Sequence, residues 1–348
     1  MWMISLRDLQ FRHRRFSIAV LATSLVFAMT LLMAGVSSSL HNEIRRITDV
    51  IGADSWIVAH GTSGPFTAAT VVRADRAEAI AASPGVDAAD PLVILRSAMQ
   101  EPVDVDVNII GYRLGGLGAP PVTEGRMPRG PGEAVVDSFL GVGVGERISV
   151  SGRVLEVTGV ADGITFFFGT PTMFVALEDA QQIGFSGKPL ASTIIAEGRP
   201  DALPEGLDVL GSAQVRADLE RPLASGSQSI DFISALLWMT AAGIIGSIIY
   251  VSALDRTRDF AVLKATGAPN RTLMMGLALQ AIVLSVASAM VAVALSQLLG
   301  PAFPFAVEIS LSSYVSLFGI AISVGLLASL AGLRRAVGVD PALAFGGA

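Results

Sequence analysis

A short charged segment, residues 255–272, carries residue types that often bind another protein. Phe260, Leu263 and Lys264 recur three to four positions apart, so a short helix would place an aromatic, an aliphatic and a basic side chain on one face. Gly267 and the proline two residues later would end that helix. Such a helix can dock in a groove of a partner and follow its motion. A solvated turn close to a membrane surface is the alternative.

Side chains of the kinds used in catalysis are scattered along the chain. The three histidines, at positions 13, 41 and 60, do not have the spacing of zinc ligands. The run Gly187-Lys188-Pro189 lacks the Ser or Thr that holds magnesium in a phosphate-binding loop. In residues 61–65 a glycine comes one position too early for a G-x-S-x-G nucleophile turn. We therefore expect no enzyme activity, no metal site and no cofactor bound by this chain.

Four apolar stretches must position these segments. Their one charged residue is Asp231, at the start of the second, and each stretch is long enough to cross a bilayer as a helix. The predicted spans are residues 16–40, 230–254, 273–299 and 309–333. Three arginines just ahead of the first span would also suit a secretory signal. However, about 25 apolar residues exceed the apolar part of a signal peptide, which favours an uncleaved anchor.

Charged residues around the spans predict their orientation. Ten Arg and Lys against four Asp lie in the N-terminal flank, in the 255–272 connection and in the tail of residues 334–348. Because short basic connections stay in the cytoplasm, both termini should be cytoplasmic in a multi-pass protein of a cell membrane. Residues 41–229, with a net charge of −10, should lie outside. The chain has 22 Arg and 2 Lys, which suggests a bacterium of high GC content.

The segment of residues 41–229 reads as a mixed α/β domain. Apolar alternation between Gly- and Pro-rich turns predicts strands at 55–59, 103–110, 133–136, 147–150 and 154–160, and helical spacing predicts a helix over 73–82. The last two strands should form a hairpin around Ser151-Gly152. The chain has no cysteine, so hydrophobic packing alone must stabilise a domain that faces an oxidising compartment.

Two parts of the chain resemble one protein family. The first runs from VNIIGYRLGGLGAPPVTEGRMPRGPGEAVVD through VGVGERISVSGRVLEVTGVA, and the second is ALDRTRDFAVLKATGAPNRTL, with LRRAVGVDPALAF near the C-terminus. The positions that carry the first resemblance are Gly111, Glu124, Gly125, Arg126, Pro128, Glu133, Gly143 to Glu146, and Gly159. In this order they resemble the MacB and FtsX-like permeases of the type VII ABC transporters.

The resemblance implies a membrane protein with four transmembrane α-helices in a 1+3 arrangement and a mixed α/β extracytoplasmic domain between the first and second helices. It implies a non-catalytic subunit, with ATP and Mg²⁺ held by a separate cytoplasmic ABC ATPase. The residues it assigns to ATPase coupling are Asp255, Arg256, Arg258, Asp259, Phe260, Leu263 and Lys264. Phe260 replaces an aliphatic residue of the family, so a groove that received it would be wider than usual.

The resemblance also implies a homodimer, and small residues in the second span could form its interface. Gly243, Gly246 and Ser247 are candidates for its interface, since small residues at four-residue spacing let helices approach closely. Packing within one chain explains the same spacing equally well. The spans offer only Gln280 and Gln297 as amides and have acids only at their ends, which disfavours transport driven by an ion gradient.

Two apolar features outside the spans suggest surfaces for lipid or for a partner. Residues 1–15 suit an amphipathic helix on the lipid of the inner leaflet. Phe166, Phe167 and Phe168 cannot all face one side of a strand, so one of them could contact a periplasmic or cell-wall protein, or the membrane surface.

Two functions fit this organisation. The first is export or extraction of a lipid, lipoprotein, peptide or drug. The second is mechanical regulation of a cell-wall hydrolase or a sensor, with no transported substrate. The whole-chain charge of −6 gives no indication of nucleic-acid binding, and we expect none.

Overall fold

The computed structural model describes residues 13–255, 257–267, 269–300 and 307–337. The chain divides into two compact units. One, the membrane unit, contains the residues up to Ser39 and from Ser227 onward; the other, the inserted domain, is Leu40–Gly226. The predicted fold class is confirmed: four helices are long and apolar enough to cross a membrane, and a mixed α/β domain lies between the first and the second.

The described residues form seven α-helices. Their bounds are α1 His13–Ile51, α2 Arg76–Ala81, α3 Leu177–Phe185, α4 Ser212–Asp255, α5 Thr257–Ala265, α6 Asn270–Leu299 and α7 Leu311–Val337. Helices α1 and α4 are longer than a bilayer requires, and the boundary between the two units falls inside both of them. The N-terminal helix predicted for residues 1–15 and the tail of residues 334–348 lie largely outside the described residues.

Close helix packing holds the membrane unit together. A Cβ atom added at Gly325 of α7 would lie 2.5 Å from Ser285 Oγ and 3.1 Å from the Ala281 carbonyl oxygen, so only glycine permits this approach to α6. Gln280 of α6 donates a hydrogen bond to Ser252 Oγ of α4 over 3.2 Å. The amide of Gln280 therefore joins two helices, as expected for a polar side chain buried in a bilayer.

One large sheet forms the body of the inserted domain. Its strands lie in the order β13-β1-β12-β3-β4-β10-β6-β8-β5, with β7 beside β3 and β8, and β9 beside β10; β2 and β11 form a separate pair. The bounds are β1 Ser55–Ala59, β2 Val72–Arg73, β3 Val86–Glu101, β4 Val105–Tyr112, β5 Glu124–Gly125, β6 Glu133–Asp137, β7 Arg147–Val150, β8 Arg153–Ala161, β9 Thr165–Phe166, β10 Thr170–Ala176, β11 Leu190–Ala191, β12 Thr193–Gly198 and β13 Leu207–Gly211.

The strands expected at 55–59 and 147–150 have those bounds, and the hairpin between β7 and β8 turns at Ser151 and Gly152, both with positive φ. The helix predicted over 73–82 is shorter, because Arg73 pairs with β11 as part of β2 and the helix begins only at Arg76. The alternation of apolar residues did not predict β3, a 16-residue strand that pairs with three others.

Candidate functional site

The 255–272 connection contains the short helix α5, and its apolar face is turned into the protein. Phe260 is 6% exposed and packs in the core of the membrane unit, with Leu263 half-buried against the same core. The ring of Phe260 is therefore not displayed on the surface of the chain, and its role in ATPase coupling stays a prediction. The spacing identified the apolar face correctly, but burying an aromatic ring among the spans stabilises the chain more than leaving it in water.

The opposite face of α5 is open. Arg258, Asp259 and Val262 are exposed, and their three- to four-residue spacing puts them on one side of the helix. Val262 is 48% exposed, which leaves an aliphatic side chain beside two charged ones. Of the other predicted coupling residues, Asp255 is exposed and Lys264 is half-buried, while Arg256 lies outside the described residues.

The small residues of α4 separate into two faces. Gly246 is buried, and a Cβ atom added there would lie 3.5 Å from the carbonyl oxygen of Ala328 in α7. Gly246 therefore serves helix packing within the chain, which was the alternative explanation of the spacing. Gly243 and Ser247 lie on the exposed face, with nothing within 4 Å of a Cβ atom at Gly243 among the described residues.

The three consecutive phenylalanines also have different surroundings. Phe166 is buried and packs edge-on against Phe66, with ring centroids 5.5 Å apart. Phe167 is half-buried, whereas Phe168 is 53% exposed, and both have a positive φ that bulky residues rarely adopt. Asn108 Nδ2 fixes this loop, since it donates to the carbonyl oxygens of Phe166 (3.1 Å) and Thr170 (3.0 Å). Phe168 is thus the one of the three with most of its surface available to a partner.

Gly111, Arg126 and Glu133, three of the positions that carry the resemblance of the inserted domain, have structural roles. A Cβ atom at Gly111 would lie 2.1 Å from Ala180 Cβ, so glycine lets α3 pack on β4. Arg126 makes two hydrogen bonds to Glu133, of 2.7 and 2.8 Å. Together with the Arg129 N–H, which also donates to this carboxyl, they lower the pKa of Glu133 to about 2. The Arg126 guanidinium also donates to the Met127 carbonyl oxygen over 3.0 Å, which closes the turn before β6.

A buried carboxylate that the sequence did not reveal lies in the first turns of α4. Asp218 is fully buried and accepts hydrogen bonds from the backbone N–H groups of Phe66 (3.1 Å) and Thr67 (3.3 Å). The hydroxyls of Ser63 and Thr67 also donate to it. A Cβ atom at Gly64 would overlap this carboxylate. Asp218 therefore ties the loop after β1 to α4, a contact between distant parts of the chain that no local pattern signals.

A cavity of about 520 Å³ opens between α1, α4 and α7 inside the membrane unit. Asp231, Ser234 and Trp238 of α4 line one wall of it. This is a second feature that the sequence did not reveal, because the walls come from three separate spans. No group of three or more His, Cys, Asp or Glu side chains within the described ranges could hold a metal ion.

Comparison with known proteins covers almost the whole chain. A family model described as MacB-like periplasmic core domain matches residues 17–207, and one described as FtsX-like permease C-terminal matches residues 232–341. Two proteins of Mycobacterium tuberculosis named as ABC transporter permeases are 42% and 40% identical over 344 residues, which is 99% of this chain and 99% of each relative.

Solved structures with weaker likeness cover the inserted part. The periplasmic region of MacB from Actinobacillus actinomycetemcomitans is 10% identical, with a TM-score of 0.36, over 51% of this chain and 98% of that one. The extracellular domain of the noncanonic ABC-type transporter YknZ from Gram-positive bacteria is 13% identical, with a TM-score of 0.33, over 40% and 90%.

Proposed function

Because this chain belongs to the MacB and FtsX-like permeases of ABC transporters, we propose that it couples ATP hydrolysis by a separate cytoplasmic ATPase to movement of its extracytoplasmic domain. The movement serves export or extraction of a lipid, lipoprotein, peptide or drug. The chain itself is a multi-pass membrane subunit whose N- and C-termini are cytoplasmic, and it works as a homodimer. ATP and Mg²⁺ are bound by the partner ATPase.

The observation that carries this proposal is that α5 is buried on one face and exposed on the other. Its outward face offers Arg258, Asp259 and Val262 to a partner, while Phe260 on the other face is held in the core of the membrane unit. A displacement applied to the outward face must therefore move the helices that enclose Phe260. A short amphipathic helix whose apolar face packs in the core of the membrane unit can transmit motion from a partner bound to its other face.

Helices α1 and α4 supply the remaining step. Each contributes residues to both the membrane unit and the inserted domain without interruption of its helical structure. Helix α1 has no proline, so its backbone hydrogen bonds can run along its whole length, whereas Pro222 of α4 lacks an N–H and interrupts them at one point. Motion that begins at α5 thus has a continuous covalent route to the inserted domain.

The test uses Val262→Glu, which places a carboxylate in the proposed contact with the ATPase. The matched control is Val154→Glu, because Val154 is also an exposed valine, 63% accessible, and belongs to the extracytoplasmic domain. Each full-length variant is co-purified in nanodiscs with the ABC ATPase encoded beside it. We expect Val262→Glu to lower recovery of the ATPase about tenfold, since an unpaired buried charge costs more than 1.4 kcal/mol at an interface. Val154→Glu should have no effect.

Equal recovery of the ATPase with both variants would refute the proposed contact at α5. Phe260→Ala adds a separate measurement, because it removes the internal attachment of α5 and leaves its outer face intact. We expect this variant to retain the ATPase and to lose the effect of the permease on its rate of hydrolysis.

Regulation of an extracytoplasmic partner is the second candidate function, and the exposed ring of Phe168 on a fixed loop favours it. An exporter should have ATP hydrolysis that a solute stimulates, whereas a regulator should respond to a protein. Phe168→Asn keeps the positive φ and removes the ring, so loss of the response to a protein in this variant would favour regulation.

A further inference from the structure

We propose that the cavity between α1, α4 and α7 binds a single-chain amphiphile with a cationic headgroup. The inference names a substrate class for the transport role, and in that sense it rests on the proposed function. Binding itself needs only the membrane unit. The volume of about 520 Å³ falls in the range of small-molecule sites.

The polarity of the cavity changes along its depth. Asp231 and Ser234 lie a few residues after Ser227, where α4 enters the membrane unit, and Ser313 lies near the start of α7. Seven residues further along α4, about 10 Å at the rise of a helix, the wall is formed by Trp238, with Ile320 at the corresponding depth of α7. One end of the cavity is therefore polar and the other apolar, which matches the two ends of an amphiphile.

Hydroxyl groups at the apolar end do not disturb this gradient. Thr30 of α1 lines the cavity, but its Oγ1 donates to the Val26 carbonyl oxygen of its own helix over 3.0 Å. Leu31 and Leu317 provide aliphatic surface at the same level. An alkyl chain in this part of the cavity would displace no hydrogen bond.

The charge of Asp231 favours a cationic headgroup. Asp231 is the one ionisable side chain among the lining residues, and neither it nor Ser234 has a hydrogen-bond or ion-pair partner among the residues that the structure describes. Asp231 is exposed and no basic side chain of the described residues lines the cavity, so its carboxylate is open to a cationic ligand. An ammonium group would supply both the counter-charge and donors for Asp231 and Ser234, whereas a carboxylate or phosphate headgroup would be repelled.

The experiment measures quenching of Trp238 by brominated amphiphiles in nanodiscs of zwitterionic lipid, with the full-length chain and no ATPase. Trp56 is fully buried in the inserted domain and gives the unquenched reference, and Trp2→Phe removes the third indole. The probes are bromododecylamine, bromododecanol and bromododecanoate. We expect saturable quenching by the amine, with about tenfold higher affinity than for the alcohol, and no saturable quenching by the acid.

Two variants separate charge from shape. Asp231→Asn should weaken binding of the amine about tenfold and leave the alcohol unchanged. Asp201→Asn is its matched control, because Asp201 is an exposed acid of the inserted domain, and it should change neither affinity. Ser234→Phe fills the cavity without changing charge and should abolish saturable quenching by both probes. It also keeps the proposal testable where Asp231→Asn does not fold.

Equal affinity for all three probes, or an amine affinity that Asp231→Asn leaves unchanged, would overturn the proposal. A second copy of the chain is the competing occupant. Since the protein has no cysteine, Ser234→Cys reports this directly: efficient disulfide formation between two copies, unaffected by the amine, would also reject the site. Loss of amine binding while the ATPase remains coupled through α5 would reject this site alone. Amine binding without ATPase recovery would reject only the coupling role.

Discussion

Replacing Gly111 with alanine should destabilise the inserted domain by about 2 kcal/mol. The new Cβ atom would lie 2.1 Å from Ala180 Cβ, whereas ordinary contact begins at 3.4 Å, so β4 and α3 must separate by about 1.3 Å. Overpacking costs about 1–3 kcal/mol, and an overlap as deep as this one lies at the upper end of that range, about 3 kcal/mol. Alanine also restricts the unfolded chain, which returns about 0.5–1 kcal/mol because Gly111 does not have a positive φ. The clash is the larger of the two effects.

Thermal unfolding of the full-length protein in detergent measures this change, with Trp56 fluorescence as the probe of the inserted domain after Trp2→Phe and Trp238→Phe remove the other two indoles. For a domain of about 190 residues, 2 kcal/mol corresponds to a decrease in Tm of about 4–8 °C. The matched control is Gly130→Ala. Gly130 also lacks a positive φ, and none of the described atoms lies within 4 Å of a Cβ atom placed there, so this variant should keep its Tm or gain slightly.

A second substitution tests the cause of the effect. Ala180→Gly removes the opposing methyl group and by itself should cost about 1 kcal/mol in helix propensity. In the double variant the methyl group at 111 occupies the vacated space, so the two changes should compensate by at least 1 kcal/mol. An unchanged Tm in Gly111→Ala, or losses in the double variant that simply add, would refute the packing argument.

Two further predictions concern charged groups of the inserted domain. Hydrogen bonds from Arg126 and from the Arg129 N–H lower the pKa of Glu133 to about 2, so they stabilise the fold above pH 4.5 and this contribution is lost as the pH falls towards 2. Arg126→Gln should reduce this pH dependence, measured by urea unfolding between pH 2 and 7. Asp218→Ala should release the loop after β1. The Phe66 and Thr67 amides should then lose most of their protection in hydrogen exchange, while the amides of β1 keep theirs. Protection of the two loop amides that persists in this variant would show that the carboxylate does not hold the loop.

The sequence predicted the spans and the short strands because both depend on local periodicity. It placed the C-terminal end of the first span near residue 40, where polar side chains begin, yet α1 continues to Ile51. Ile44, Ile47 and Ile51 are buried at helical spacing in this extension. That signal is present in the sequence, but the surrounding charges Glu43, Arg45 and Arg46 hide it from a hydropathy argument.

The functional surfaces were harder to predict, since a pattern identifies an apolar face without saying what covers it. Phe260 and Leu263 do form one face of α5, and that face packs against the chain itself. Gly246 has the same ambiguity and faces α7. Asp218 and the cavity beside Asp231 depend on contacts between residues far apart in the chain, which a single sequence does not record.

The chain enters and leaves the strand region of the inserted domain at neighbouring points. Ser55, which opens β1, pairs directly with Gly211, which closes β13, and Ser212 Oγ donates to the Ala53 carbonyl oxygen over 3.0 Å. The domain thus behaves as a cassette whose two ends meet. A deletion that joins Ala53 to Ser212 through a tight turn would leave the ends of α1 and α4 where they are. The same junction could accept another domain whose termini lie about 5 Å apart, the spacing of paired strands. Permeases with unlike outer domains could arise from one set of helices by such exchanges.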